Sequence, residues 1–327
     1  MARLLITGGA GFIGANLVAH LHARGRDILT VLDNESTGGR ARIAYPGVRF
    51  IEGDIRDARA VTHAMTGQDA VIHLAAVPAV GDAVADPLAS ADVNVNGSLQ
   101  VLDAARRLGV GYVLAASSGG TVLGDAPPPV HEATLPRPRS PLGAAKLALE
   151  GYLGAYARTY GLRTCALRIA NVYGPGSAHK TSVIPAFMRA AAAGGALPVR
   201  GDGMQSRDFL YVGDLVQGMA QALQARATGL FHLGSGAPTT INSLADTIRD
   251  VVGVPHLPTA PLPALPGEVR ESFCDMTRAA DSFGFAPVTD LRTGLALTWA
   301  WFQGGGTLDT GPVTAQARID GRAWEAV

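Results

Sequence analysis

Residues 4–14 read Leu-Leu-Ile-Thr-Gly-Gly-Ala-Gly-Phe-Ile-Gly, an apolar strand running straight into three glycines, Gly8, Gly11 and Gly14. A helical pattern follows over roughly Ala15 to Arg24. This order constrains the fold strongly. Gly8 permits the tight strand-to-helix turn, Gly11 lets backbone approach a pyrophosphate, and Gly14 lets the helix pack on the strand. The helix N-terminus then offers free N–H groups and a partial positive charge to phosphate oxygens. Phe12 and Ile13 lie within the same turn.

With 41 glycines in 327 residues, a glycine triplet needs support from its context. A second apolar run, Ile28–Leu32, supplies it by ending at Asp33, about 20 residues beyond the glycines. A carboxylate there accepts hydrogen bonds from ribose hydroxyls and repels a 2′-phosphate, which selects NAD over NADP. Asn34 and Ser36 follow, and no arginine comes before Arg40.

Basic and acidic residues balance at 27 each, with no basic stripe for nucleic acid. The chain enters a strand at once, and no apolar run reaches the ~20 residues that span a bilayer. It therefore reads as a cytoplasmic chain without a leader or membrane segment. Cys165 and Cys274 sit in apolar surroundings and read as small core residues, not as a disulfide. No metal site is expected.

The first half alternates strands (Leu4–Thr7, Ile28–Leu32, Val48–Glu52, Ala70–Leu74, Tyr112–Ala116, Thr164–Ile169) with helices such as Leu99–Leu108 and Leu142–Tyr160. Continuous apolar strands between helices imply a doubly wound parallel sheet covered on both faces, an α/β Rossmann domain over 1–170. Helices are expected over Ile184–Gly194, Asp214–Ala225 and Asn242–Val252, the last with Asn242 or Ser243 as N-cap. Residues 171–303 read mainly as a smaller substrate lobe whose chain re-enters the first domain in part, and 304–327 as a flexible tail.

Several segments together resemble the extended short-chain dehydrogenase/reductase family, specifically its NAD-dependent nucleotide-sugar epimerases and dehydratases. They are Thr7 to Gly14, Gly53-Asp54-Ile55-Arg56-Asp57, His73-Leu74-Ala75-Ala76, Asn94-Val95-Asn96-Gly97, Ser117-Ser118, Arg168 to Pro175, and Gly201-Asp202-Gly203 with Arg207-Asp208-Phe209. The likeness covers roughly residues 3 to 302. It implies a tightly held NAD contacted by Asp54, Ile55, Leu74, Ala75, Ala76, Asn94 and Lys146. It also implies hydride removal from a sugar carbon, usually C4, and return after the keto-sugar rotates or reacts. A homodimer formed through the helices Leu99–Leu108 and Leu142–Tyr160 is a further implication.

In such enzymes the base is a tyrosine in a YxxxK motif. Here that motif reads Leu142-Gly-Ala-Ala-Lys146, so the lysine is present and the phenol is absent. A VYG triplet is likewise replaced by Val122-Leu123-Gly124, and the acidic pair of the dehydratases by Gly119-Gly120-Thr121. Ser118 or Thr121 remains to steady the sugar oxygen. The substrate half looks intact. Asn171 would bond the sugar or diphosphate, Arg207 and Arg270 are spaced like the family's diphosphate clamp, and Leu197 to Gly201, including Val199, resembles the segment flanking the nucleobase.

Three readings stay open. Another group acts as base: Lys146 with its pKa lowered by burial, or His179 and Lys180, or His131 and Glu132. Alternatively, chemistry begins elsewhere on the sugar, as in a dehydratase or a C3/C5 epimerase. In the third reading the chain binds NAD and a nucleotide-sugar without turnover. The expected function is a C4 epimerase acting on a UDP-hexose or UDP-uronic acid, with Leu142 lining the site as the missing base.

Overall fold

The computed structural model describes residues 1–264 and 269–304. The first half lays down β1 (Ala2–Thr7), β2 (Asp27–Asp33), β3 (Arg49–Glu52), β4 (Ala70–His73), β5 (Val113–Ser118) and β6 (Thr164–Ile169). Between them lie α1 (Phe12–Arg24), α2 (Ala58–Met65), α3 (Val80–Ala85), α4 (Pro87–Ala91), α5 (Ser98–Arg107), α6 (Gly119–Leu123) and α7 (Pro141–Tyr160). A π-helical stretch, Asp92–Gly97, separates α4 from α5, so the helix expected over Leu99–Leu108 is continuous with a wider turn before it.

The second half adds β7 (Asn171–Tyr173), α8 (Val183–Ala192), β8 (Leu197–Arg200), β9 (Ser206–Tyr211), α9 (Val212–Ala225), β10 (Gly229–Leu233), β11 (Pro238–Thr240), α10 (Ile241–Val252), β12 (Thr259–Leu262), α11 (Thr277–Phe283) and α12 (Leu291–Gln303). The large sheet has the order β3-β2-β1-β4-β5-β6-β10, and every pair in it is parallel. The strand order reverses between β1 and β4, and ligands in such sheets bind at that switch, beyond the strands' carboxyl ends. β10 brings the chain back to the edge of the large sheet. It pairs with β6 through Gly229↔Cys165 to Leu233↔Ile169. Two small sheets, β11-β9-β7 and β12-β8, lie outside the large one.

The period-2 alternation of a strand divides the core. Leu4 and Ile6 of β1 pack with Leu17, Val18 and Leu21 of α1 on one face. Leu5 packs with Val61 and Met65 of α2 and Leu149 and Leu153 of α7 on the other. α7 starts where Ser140 accepts the Gly143 N–H, with Pro141 in the first turn, and stops at Gly161 in a left-handed conformation (φ 69°). α10 is capped by Thr240, which accepts the Ser243 N–H, and not by Asn242 or Ser243. β11 runs directly into that helix, so the last extended residue, Thr240, takes the cap position.

Cys165 and Cys274 are buried free thiols. Among the described residues no helix is long and apolar enough to cross a membrane, and no cluster of metal-ligating side chains occurs. The tail expected over 304–327 lies, beyond Gly304, outside the described residues.

Candidate functional site

Three cavities open along the carboxyl edge of the large sheet and the adjoining lobe. The first, of about 320 Å³, is lined by Gly8, Gly11, Phe12, Ile13, Gly14, Asp33, Asn34, Asp54, Ile55, Leu74, Ala75 and Ala76, with Ala116, His179 and Lys180. These are the residues expected to hold a dinucleotide, apart from Asn94 and Lys146. Gly8 has φ +72°, and a Cβ there would stand 2.6 Å from the Ala75 nitrogen. A Cβ at Gly14 would stand 2.2 Å from the Gly8 oxygen. Side chains are therefore excluded where backbone must meet backbone. The α1 N-terminus has no side-chain cap and no acidic residue in its first turn, so its N–H groups are left to an anion.

The acidic residues of this cavity are already held. Asp33 accepts the Ala10 N–H (2.9 Å) and the Glu35 N–H (2.8 Å). Asp54 accepts from Arg56 (2.8 Å) and from Asn34 (2.9 Å), and the Arg56 guanidinium holds its carboxyl down at about 2. Asn94 is 2 % exposed. Its amide accepts the Val77 N–H (2.8 Å) and donates to the Val77 carbonyl (3.1 Å), so it fixes the loop that lines the cavity and does not line it itself. A buried relay leads to it. The Ser98 hydroxyl donates to the Asn94 carbonyl (2.7 Å), which leaves its oxygen to accept from His73 Nε2 (2.9 Å), while His73 Nδ1 faces the Thr7 hydroxyl (2.7 Å). Burial, with Lys146 nearby, pushes the His73 pKa to about 3, so the ring is neutral.

The second cavity, of about 480 Å³, is walled by Ser118, Thr121, Ser140, Asn171, Arg207, Asp208 and His232, among others. The third, of about 330 Å³, is walled by Asn171, Lys180, Pro198, Arg200, Arg207 and Phe209 with their neighbours. Asn171 and Arg207 line both, which places them at the junction. Val199 itself is buried, and the flanking Pro198 and Arg200 face the third cavity.

Lys146 lies on α7, one turn beyond Leu142, and its ammonium donates to the Ala116 carbonyl of β5 at 2.9 Å. Desolvation lowers its pKa to about 8, opposed by Glu150. Glu150 is the fixed point beneath it. It is paired with Arg168 of β6 at 2.8 and 3.0 Å and accepts from Ser117 of β5. Removing one partner of so buried a pair costs about 3–5 kcal/mol, so α7 and its lysine are firmly seated on the sheet.

Several expected residues sit differently from their assigned roles. Leu142 is 4 % exposed and lines none of the three cavities. His179 lies in the wall of the dinucleotide cavity, its pKa lowered by burial and by the charges of Arg42 and Lys180. It does not line the cavity that holds Ser118 and Thr121. Arg270 is paired in two-pronged fashion with Asp202, both contacts at 2.8 Å, and its side chain is 60 % exposed. Its carbonyl accepts the Ser206 N–H (2.9 Å), which brings it beside Arg207, but it lines none of the three cavities. An exposed ion pair of this kind contributes about 0–1 kcal/mol, a small barrier to exchanging Asp202 for a phosphate. Glu132 is taken up by the backbone N–H of His232 (2.9 Å). Sequence reasoning passed over His232 itself. The signal available was a histidine ending an apolar run, Gly229–Leu233.

The description "NAD dependent epimerase/dehydratase family" fits residues 4–234. The UDP-glucose 4-epimerase of Mycolicibacterium smegmatis is 36% identical over 316 residues, covering 92% of this chain and 98% of the relative. The dTDP-glucose 4,6-dehydratase of Streptomyces antibioticus is 33% identical over 314 residues, covering 92% of each. Among solved structures, the UDP-glucose 4-epimerase of Thermus thermophilus in complex with NAD superposes with a TM-score of 0.86 at 34% identity, covering 92% of this chain and 99% of the other.

Proposed function

Because the chain belongs to the NAD-dependent epimerase/dehydratase family, we propose that it oxidises and re-reduces C4 of a UDP-hexose or UDP-uronic acid, with a group other than tyrosine handling the hydroxyl proton. The cofactor is NAD, which supplies the hydride acceptor and donor, and the glycine cradle with its uncapped α1 N-terminus fits its pyrophosphate. The observation that carries the reading is on β5. Ala116 lines the dinucleotide cavity and Ser118, two residues on, lines the next one, so a single strand end serves both. Lys146 is anchored on the Ala116 carbonyl at that seam.

In this reading the sugar occupies the 480 Å³ cavity, the nucleotide occupies the 330 Å³ cavity, and the diphosphate crosses at Asn171 and Arg207. Ser118 and Thr121 steady the sugar oxygen. Lys146 lines none of the three cavities but reaches their seam at the Ala116 carbonyl; its pKa near 8 suits it to take the hydroxyl proton in its neutral form and give it back on re-reduction. One contact speaks against elimination of water. Asp208 is the sole carboxylate among the described residues lining the sugar cavity, and it is occupied by Ser235, Gly236 and Cys274.

Proton NMR in D2O, with NAD and a panel of UDP-, dTDP- and GDP-sugars, tests the proposal. A C4 epimer without deuterium is the expected product. Deuterium at C3 or C5, or a 6-deoxy product, would replace the C4 reading with enolisation or dehydration. No turnover, with UDP and NAD still bound, would make the chain a binding protein.

A further inference from the structure

We infer that His232 contacts the sugar: its imidazole, with the Thr121 hydroxyl, forms a hydroxyl-recognition pair in the wall of the 480 Å³ cavity. This rests on the reading of that cavity as the sugar site. His232 has no exposed surface, and neither Nδ1 nor Nε2 has a partner of good hydrogen-bond geometry among the described residues, although the His131 backbone lies close enough to favour the protonated ring. The Thr121 Oγ1 in the same cavity is likewise buried and unpartnered. Buried polar atoms are nearly always paired, so two such groups facing one space mark a place where something else supplies the bonds.

The surrounding chain keeps that space open. Gly119 carries no side chain where a Cβ would stand 3.4 Å from His232 Nδ1. The His232 backbone is fixed separately, through its N–H to Glu132 and its register with Arg168 in β6. Burial and the nearby Arg168 and His131 charges push the ring's pKa to about 4, opposed by the His131 backbone and Asp275, so it is neutral near pH 7. A neutral imidazole presents one N–H and one lone pair. A sugar hydroxyl, which donates and accepts, complements both atoms. A carboxylate only accepts and leaves the lone pair unanswered. The pair is therefore suited to read sugar hydroxyls.

Calorimetry of the NAD-loaded protein with UDP and UDP-glucose tests this, using wild type, His232→Leu, His232→Gln and Thr121→Val. His232→Leu is expected to weaken UDP-glucose on the order of tenfold while leaving UDP unchanged, with much of the loss recovered in His232→Gln. Imidazole 15N shifts of His232 in wild type should move with UDP-glucose and stay still with UDP, a readout that needs no variant to fold. Unmoved shifts, or an unaltered UDP-glucose to UDP ratio in His232→Leu and Thr121→Val, would overturn the inference and leave the proposed function standing. If wild type binds neither UDP nor any UDP-sugar, both fall.

Discussion

The dinucleotide cavity and the sugar cavity share one sheet edge but differ in how their polar groups are satisfied. In the first, Asp33, Asp54 and Asn94 are bonded to the chain's own N–H and guanidinium groups before any ligand arrives. In the second, Thr121 Oγ1 and the His232 ring nitrogens lack a partner of good geometry among the described residues. A site completed by its own chain is rigid and general, and it suits a cofactor common to many reactions. A site left incomplete becomes saturated only when a matching ligand enters, so the burden of selectivity falls there.

The contrast can be broken first at the cradle. Gly14→Ala forces a Cβ to 2.2 Å from the Gly8 oxygen. It is expected to abolish NAD retention and to destabilise the protein by about 1–3 kcal/mol. The cofactor content of the purified variant and its thermal melt measure both, and wild-type NAD content would contradict a backbone-built site. Lys146→Met is expected to lower turnover by about 100-fold or more. In wild type, kcat/KM should rise with pH through about 8, because the neutral amine is the active form. The limb should vanish in the variant, and an unchanged rate would remove Lys146 from the chemistry. Leu142→Tyr adds a phenol one helical turn before Lys146. The expected result is a rate about tenfold higher, against a packing cost of about 1–3 kcal/mol at a buried position. Smallest is Asp33→Asn, which removes the charge and keeps one acceptor. The preference for NAD over NADP should fall by roughly tenfold in paired titrations.

What the sequence disclosed was what neighbours in sequence decide. The glycine turn, Asp33 and the Leu74–Ala76 loop end act within a few residues of a strand, and each lies in the dinucleotide cavity. Roles set by distant pairing were hidden. The place of His232 depends on β10 returning to lie beside β6. That Arg270 rests on Asp202, from another segment, is likewise invisible in its spacing. His179 sits close in sequence to the substrate segments, yet its loop folds over the cofactor side. Even the α10 cap, with Thr240, Asn242 and Ser243 all suitable by type, was settled by the strand that precedes it.

Lys180 belongs to two spaces at once. Its side chain faces both the dinucleotide cavity and the 330 Å³ cavity, over the Phe12 ring at 4.9 Å and bonded to the Val172 carbonyl at 3.1 Å. Burial lowers its pKa to about 8, so near that pH the amine is only partly charged. An anion in either space would raise the pKa of this one amine, so a single side chain senses both spaces through its proton.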